Sequence, residues 1–243
     1  MGTNAEVAAF YDTQAQRKLR DFVYANRRVE CAWKTVCEWC AAPAPSRILE
    51  IGCGVGSVSW RLSRKFRTAE IVGVDFSRGN LSIANIVFTG PNLRYVLMSA
   101  DDPFVLGGFD AVILMDVYEH IAVEQRRKLH ENIRRSLSAT GRLVVTVPTP
   151  RHLDWLRTNQ PSEIQPIDED ITPGVLCTLA SDLGLDVLMY REVDIWRQGD
   201  YAHAVIGRSG FPEPSHQTRS AQIVRRLVTL GRATRLVRMG IKV

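Results

Sequence analysis

Arg47-Ile48-Leu49-Glu50-Ile51-Gly52-Cys53-Gly54-Val55-Gly56 is the stretch that decides the fold. An apolar run carries an acid near its end, three glycines follow at alternate positions, and Ser57–Lys65 then reads as a helix. Glycines let the backbone turn sharply and approach a ligand closely, and the start of a helix presents unpaired N–H groups. The first strand is thus expected over Arg47–Cys53. Downstream the pattern repeats. Glu70–Phe76 reads as a strand, and Ser77 can cap a helix running to about Val87. Leu93–Ser99 and Phe109–Asp116 are further strands, the second apolar on both faces as a central parallel strand must be. Val123–Ser138 is a helix and Arg142–Pro148 a fifth strand. Such alternation predicts an α/β fold, a doubly wound and mostly parallel sheet with helices on both faces. Upstream, Glu6–Cys40 lacks strand alternation and predicts one or two helices, closed by Pro43 and Pro45. Downstream, residues 149–170 are polar, contain Pro161 and Pro166, and read as a loop. Thr172-Pro173 supplies an N-cap and a first helical residue for a helix to about Asp182. Asp186–Trp196 and Tyr201–Gly207 then form an antiparallel pair. The expected organisation is a helical lid over 1–44, a body over 45–208 with an acceptor loop at 149–170, and a basic amphipathic helix over 209–243.

A chain of 243 residues with 45% hydrophobic and 23% charged residues suits one soluble α/β domain. No apolar run approaches the length of a membrane span, and the N-terminus lacks the basic-then-apolar pattern of a secretory signal. A cytoplasmic location is expected, with the five cysteines as thiols. Cys37 and Cys40 form a C-x-x-C pair in a helical segment, without the further ligands a zinc site needs. The net charge of +5 is uneven: residues 207–243 carry eight basic residues and one acid, leaving −2 for the rest. A body of that charge lacks the footprint of a nucleic-acid binder, and no nucleic-acid partner is expected. In the tail, Ile223, Leu227, Leu230, Val237 and Ile241 share one helical face, with Arg225, Arg232 and Arg235 opposite. That face fits three uses: packing on its own domain, contact with a second copy, or peripheral contact with an anionic membrane.

Asp75 ends the second strand, where a carboxylate can accept both hydroxyls of a ribose. The glycine spacing is G-x-G-x-G rather than the G-x-G-x-x-G of dinucleotide sites, though an NAD-binding domain remains the alternative. Glu50, Gly52, Gly54, Gly56 and Asp75, with Asp101 in Ser99-Ala100-Asp101-Asp102, resemble the motifs of the class I S-adenosylmethionine (SAM)-dependent methyltransferases. The resemblance covers roughly residues 45–150 and implies a seven-stranded sheet with an antiparallel last strand. It implies that the amino-acid end of SAM lies over the glycine loop, Asp75 on the ribose and Asp101 on the adenine amine. Phe76, Asp102 and Met115 are expected beside them as cofactor contacts. In this superfamily N-terminal helices often cover SAM, so Tyr11 and Arg28 are expected to hold its carboxylate; a solvated helix face is the other reading.

The fourth strand ends in Asp116-Val117-Tyr118-Glu119-His120, outside the carboxyl edge of the sheet where α/β proteins bind ligands. His152 follows the fifth strand. Two carboxylates and two imidazoles are a plausible ligand set for a divalent ion. The D-x-x-E-H pattern resembles the E-x-x-E-H of metal-dependent O-methyltransferases of the ubiquinone-pathway and small-RNA 2′-O-methyltransferase groups, with Asp116 in place of the first Glu. It implies Mg²⁺ or a similar ion on Asp116, Glu119, His120 and His152. Glu119, His120 and His152 are then the expected catalytic groups, either histidine serving as base. The other reading, a histidine that only orients substrate and an Asp116 that contacts SAM, stays open. Trp155 among polar neighbours suits a sugar ring. The expected activity is SAM-dependent methyl transfer to a hydroxyl of a saccharide-type acceptor, a small molecule or an oligosaccharide, with metal assistance. A catechol or natural-product acceptor and a non-catalytic SAM-binding regulator are the alternatives.

Overall fold

Strand β1 (Arg47–Ile51) lies inside the sheet, so its neighbouring residues Ile48 and Leu49 are both fully buried, one on each face. The chain is described here from a computed structural model, over residues 15–40, 44–99, 102 and 106–209. Helices α1 (Ala15–Val23) and α2 (Arg27–Cys40) precede β1. There follow α3 (Ser57–Lys65), β2 (Glu70–Asp75), α4 (Arg78–Val87), β3 (Leu93–Leu97) and β4 (Phe109–Met115). A 3₁₀ turn over Tyr118–His120 leads to α5 (Val123–Ser136) and β5 (Leu137–Pro148). Then come α6 (Pro150–Asn159), a 3₁₀ turn at Pro161–Glu163, α7 (Pro173–Leu183), β6 (Asp186–Val193) and β7 (Tyr201–Gly207). Tyr11, Asp101 and the tail helix expected over 209–243 lie outside the described residues, Ser209 excepted.

The strand order is β3-β2-β1-β4-β5-β7-β6, with β7 antiparallel to both neighbours and the other pairs parallel. This is the expected doubly wound sheet. The chain reverses direction of travel across the sheet between β1 and β4, so the crevice for a ligand opens at the carboxyl ends of those two strands. One face carries Leu49, Val72, Val112 and Leu143, covered by Leu129 and Ile133 of α5 and Leu176 and Leu179 of α7. The other carries Ile48, Ile71, Ile113 and Val144, covered by Val36 of α2 and Leu62 of α3. Each such side chain contributes about 1.5–3 kcal/mol by leaving water.

Local signals set most boundaries. Ser77 accepts the Asn80 N–H at 3.0 Å and caps α4. Gly184, at φ +67°, stops α7. The expected acceptor loop is a correction: residues 150–159 form α6, and irregular chain is confined to the residues after it. The reason is Thr149-Pro150, where Thr149 accepts the His152 N–H and Pro150 opens the helix, the same device as Thr172-Pro173. Strand β5 also starts earlier than expected, because Leu137 pairs with Phe109 before the register shifts.

Candidate active site

The glycine loop joins β1 to α3 with Gly52, Gly54 and Gly56 all at positive φ. At Gly52, φ is +72° and a Cβ would lie 2.5 Å from a Val117 methyl, so only glycine fits beneath the β4 turn. Asp75 braces this loop from the end of β2. One carboxylate oxygen accepts the Gly54 N–H at 2.7 Å and the other accepts the Ser77 N–H at 2.9 Å. Glu50, buried behind the glycines, accepts a hydrogen bond from the Ser59 hydroxyl of α3.

Burial pushes the Glu50 carboxyl up to about 7; the Ser59 bond pulls it down and Asp75 adds to the rise. A folded-state pKa above the unfolded one stabilises at pH below the unfolded value, and that stability is lost as pH rises through the folded value. At ~1.4 kcal/mol per pH unit, the loss amounts to about 3 kcal/mol. Glu50→Gln removes this dependence. Its melting temperature relative to wild type should therefore rise between about pH 5 and about pH 8. A difference that stays flat over that range would contradict the buried-acid assignment.

A cavity of ≈ 370 Å³ runs from this loop to the tip of β4. Glu50, Gly52, Gly54, Asp75 and Phe76 line one end, and Met115, Asp116, His120 and Gln165 line the other. Phe22 and Trp60, with ring centroids 5.9 Å apart, form part of an aromatic wall on the α1 side. Lys18 reaches over Gly54, where burial lowers its pKa against the opposing pull of Asp75. Asp102 does not line the cavity; its carboxylate accepts the Ser99 N–H at 2.7 Å.

At the β4 tip, Asp116 takes a left-handed backbone conformation, φ +55°, which Asp tolerates better than most residues. Its carboxylate lies 2.9 Å from Arg28 Nε and accepts the Thr146 hydroxyl at 3.2 Å. Arg28 also donates to the Tyr201 hydroxyl at 3.4 Å. The His120 ring sits at the cavity's edge, its Nδ1 2.9 Å from both the Ile167 carbonyl and an Asp168 carboxylate oxygen. Its Nε2 is 3.0 Å from the Gln165 amide nitrogen. Burial works against a charged ring here, but Glu119, Asp168 and the Ile167 carbonyl outweigh it and hold His120 above the ordinary imidazole value.

The expected metal ligands are brought together only in part: Glu119 Oε1 lies 3.7 Å from His120 Nε2, and the set does not close around an ion. Glu119, 1% exposed, turns into the interior, where burial raises its carboxyl well above the ordinary range. Asp116 is engaged by Arg28. His152 points back onto Trp196 and Tyr201, with ring centroids 6.1 Å and 5.5 Å away, and does not line the cavity. Among the described residues no group of three or more His, Cys, Asp or Glu side chains could hold an ion. The four residues do not fit the metal. Of the three expected catalytic groups, only His120 faces the cavity. Residues not singled out from the sequence, Lys18, Ser59, Asp168 and Tyr201, complete the surroundings. Gln165 falls within the loop expected over 149–170. No helix among the described residues is long and apolar enough to cross a membrane.

Residues 48–141 match a family model described as a methyltransferase domain. A demethylmenaquinone methyltransferase of Thermus thermophilus is 35% identical over 105 residues, 42% of this chain and 47% of that protein. A ubiquinone biosynthesis O-methyltransferase of Ruegeria is 40% identical over 79 residues, 31% of each chain. The chain thus spans under half the length of these curated relatives. Among solved structures, magnesium protoporphyrin IX methyltransferase of Synechocystis, with bound S-adenosylhomocysteine (SAH), aligns with TM-score 0.65. The alignment covers 85% of this chain and 100% of that one at 17% identity, a likeness of fold. Residues 48–141 thus carry a methyltransferase domain by family match, and the sheet order agrees with the fold of the solved neighbours.

Proposed function

We propose that this chain transfers the methyl group of SAM to a hydroxyl of a small-molecule acceptor, with His120 taking the proton. One observation carries the reading: the glycine loop, Asp75 and His120 line a single cavity, so a cofactor over the loop and an acceptor beside the imidazole would share it. Asp75 would hold the ribose. Arg28, placed between loop and acceptor end, would take the SAM carboxylate. An aliphatic hydroxyl ionises only far above neutral pH, so an in-line displacement on the sulfonium needs a base at hydrogen-bond distance. Neither a metal nor a sugar is part of this proposal. The ligand set is dispersed, and Trp155, the residue that suggested a sugar, has Arg197 3.2 Å above its ring and lies outside the cavity lining.

The test is SAH formation from SAM over a panel of phenols, catechols, alcohols and sugars, with and without chelator. Turnover with a hydroxyl compound, unchanged by chelation, is the expected result. Turnover only with amines or carbon acids would overturn the hydroxyl assignment. Arg28→Met should weaken SAM binding about tenfold, the worth of one charge-assisted hydrogen bond. It should leave 5′-methylthioadenosine, which lacks the amino-acid end, unaffected. Equal losses for both compounds in calorimetry would instead make Arg28 a structural residue.

A further inference from the structure

We infer that Asp168 is the positioning residue that fixes the His120 tautomer, and that the Gln165 side-chain amide occupies the place of the acceptor's hydroxyl. The inference rests on the methyl-transfer reading of the cavity and adds the class of acceptor. Two oxygens, the Asp168 carboxylate and the Ile167 carbonyl, each lie 2.9 Å from His120 Nδ1. Both offer only lone pairs, so Nδ1 must carry the hydrogen. In the neutral ring the lone pair is then on Nε2. The Gln165 amide nitrogen at 3.0 Å from Nε2 is a donor, consistent with that tautomer, and the Glu119 carboxylate oxygen on the same side, at 3.7 Å, lies beyond hydrogen-bond distance. The same segment supplies both parts, because the second carboxylate oxygen of Asp168 accepts the Gln165 backbone N–H at 2.8 Å. Arg157 anchors the segment by donating to the Asp168 carbonyl at 3.0 Å.

A group that replaces the amide must also donate a hydrogen to Nε2. Alcohols and phenols do so; a carboxylate or a tertiary amine cannot. The step balances as follows. The hydroxyl proton passes to Nε2, the oxygen bonds the methyl carbon, and the C–S bond breaks with its electron pair returning to sulfur. Neutral SAH and an imidazolium remain, and the Asp168 carboxylate lies beside the new charge. Asp168 touches neither substrate nor cofactor and acts through His120.

Long-range ¹H–¹⁵N NMR of the full chain reads the tautomer without any acceptor, His120 being assigned by its loss in His120→Gln. Wild type should show the Nδ1–H form, with and without SAH. Asp168→Ala should give mixed tautomers, and Asp168→Asn, whose amide oxygen can still accept, should retain the wild-type form. Gln165→Ala should shift the Nε2 resonance by several ppm. An Nε2–H form in wild type, or a wild-type tautomer population in Asp168→Ala, would overturn the role of Asp168. An unmoved Nε2 resonance in Gln165→Ala would overturn that of Gln165. Calorimetry with SAH on the same samples is independent: no heat in wild type would sink the cavity reading while leaving the tautomer result standing.

Discussion

His120→Ala should slow methyl transfer by about 10²- to 10⁴-fold, the usual worth of a placed general base, while SAH affinity stays within about twofold of wild type. The separation follows from position. The imidazole lies at the β4 end of the cavity, where the proposal seats the acceptor, with Asp168 and Ile167 on its far nitrogen, whereas Asp75 and the glycine loop lie at the other end. Without the ring, a hydroxyl must attack before losing its proton or lose it to water, and neither route has an oriented acceptor. The variant also leaves the Asp168 carboxylate without its ring partner, at a cost of about 1–3 kcal/mol in stability. A lower melting temperature is therefore expected, and the SAH titration shows that the cofactor end is intact. Added imidazole should restore part of the rate, because the hole left by the side chain adjoins the cavity. Parallel losses of rate and SAH affinity would move His120 from proton transfer to cofactor binding.

The parts that were legible in the sequence are local. An apolar β1, three glycines and a helix are contiguous, and Asp75 ends the next strand, so the loop and its acid follow from short-range pattern alone. Helix α6 was missed because its polar composition and flanking prolines outweighed the Thr149-Pro150 cap, a signal recognised at Thr172-Pro173 and equally present here. The metal site failed for geometric reasons. Glu119 and His120 stay neighbours, with Glu119 Oε1 3.7 Å from His120 Nε2, but Glu119 is buried while His120 borders the cavity. Asp116 met a cation from α2, which no spacing within the D-x-x-E-H pattern reveals. Placing His152 in the first turn of α6 turned it toward β7. Asp168 could not be paired with His120 from sequence at all, because irregular chain after α6 carries it back across the β4 tip.

Asp75→Asn should weaken SAM and SAH binding by about ten- to a hundredfold, and the reason lies in what the carboxylate already does without ligand. Its two oxygens accept the Gly54 and Ser77 N–H groups at 2.7 and 2.9 Å. A carboxylate offers about four lone-pair directions; the Asn80 amide, at 3.4 Å, shares the oxygen used by Ser77, so one direction on the oxygen facing Gly54 remains for a ribose hydroxyl. Asparagine has one accepting oxygen, and its NH₂ must point at one of the two backbone N–H donors. The variant thus loses a charge-assisted bond of about 1.5–3 kcal/mol to the ribose, and one loop N–H becomes an unpaired buried donor. The unpaired donor is present with and without ligand and lowers stability, whereas the lost ribose bond alone corresponds to about ten- to a hundredfold weaker binding. The loss should be the same for SAM, SAH and 5′-methylthioadenosine, because all three present the same ribose; this separates Asp75 from Arg28, whose effect needs the amino-acid end. 2′,3′-Dideoxy analogues should bind wild type as weakly as the complete ligands bind the variant. If wild type bound the dideoxy analogue and SAH alike, Asp75 would be a brace for the glycine loop alone.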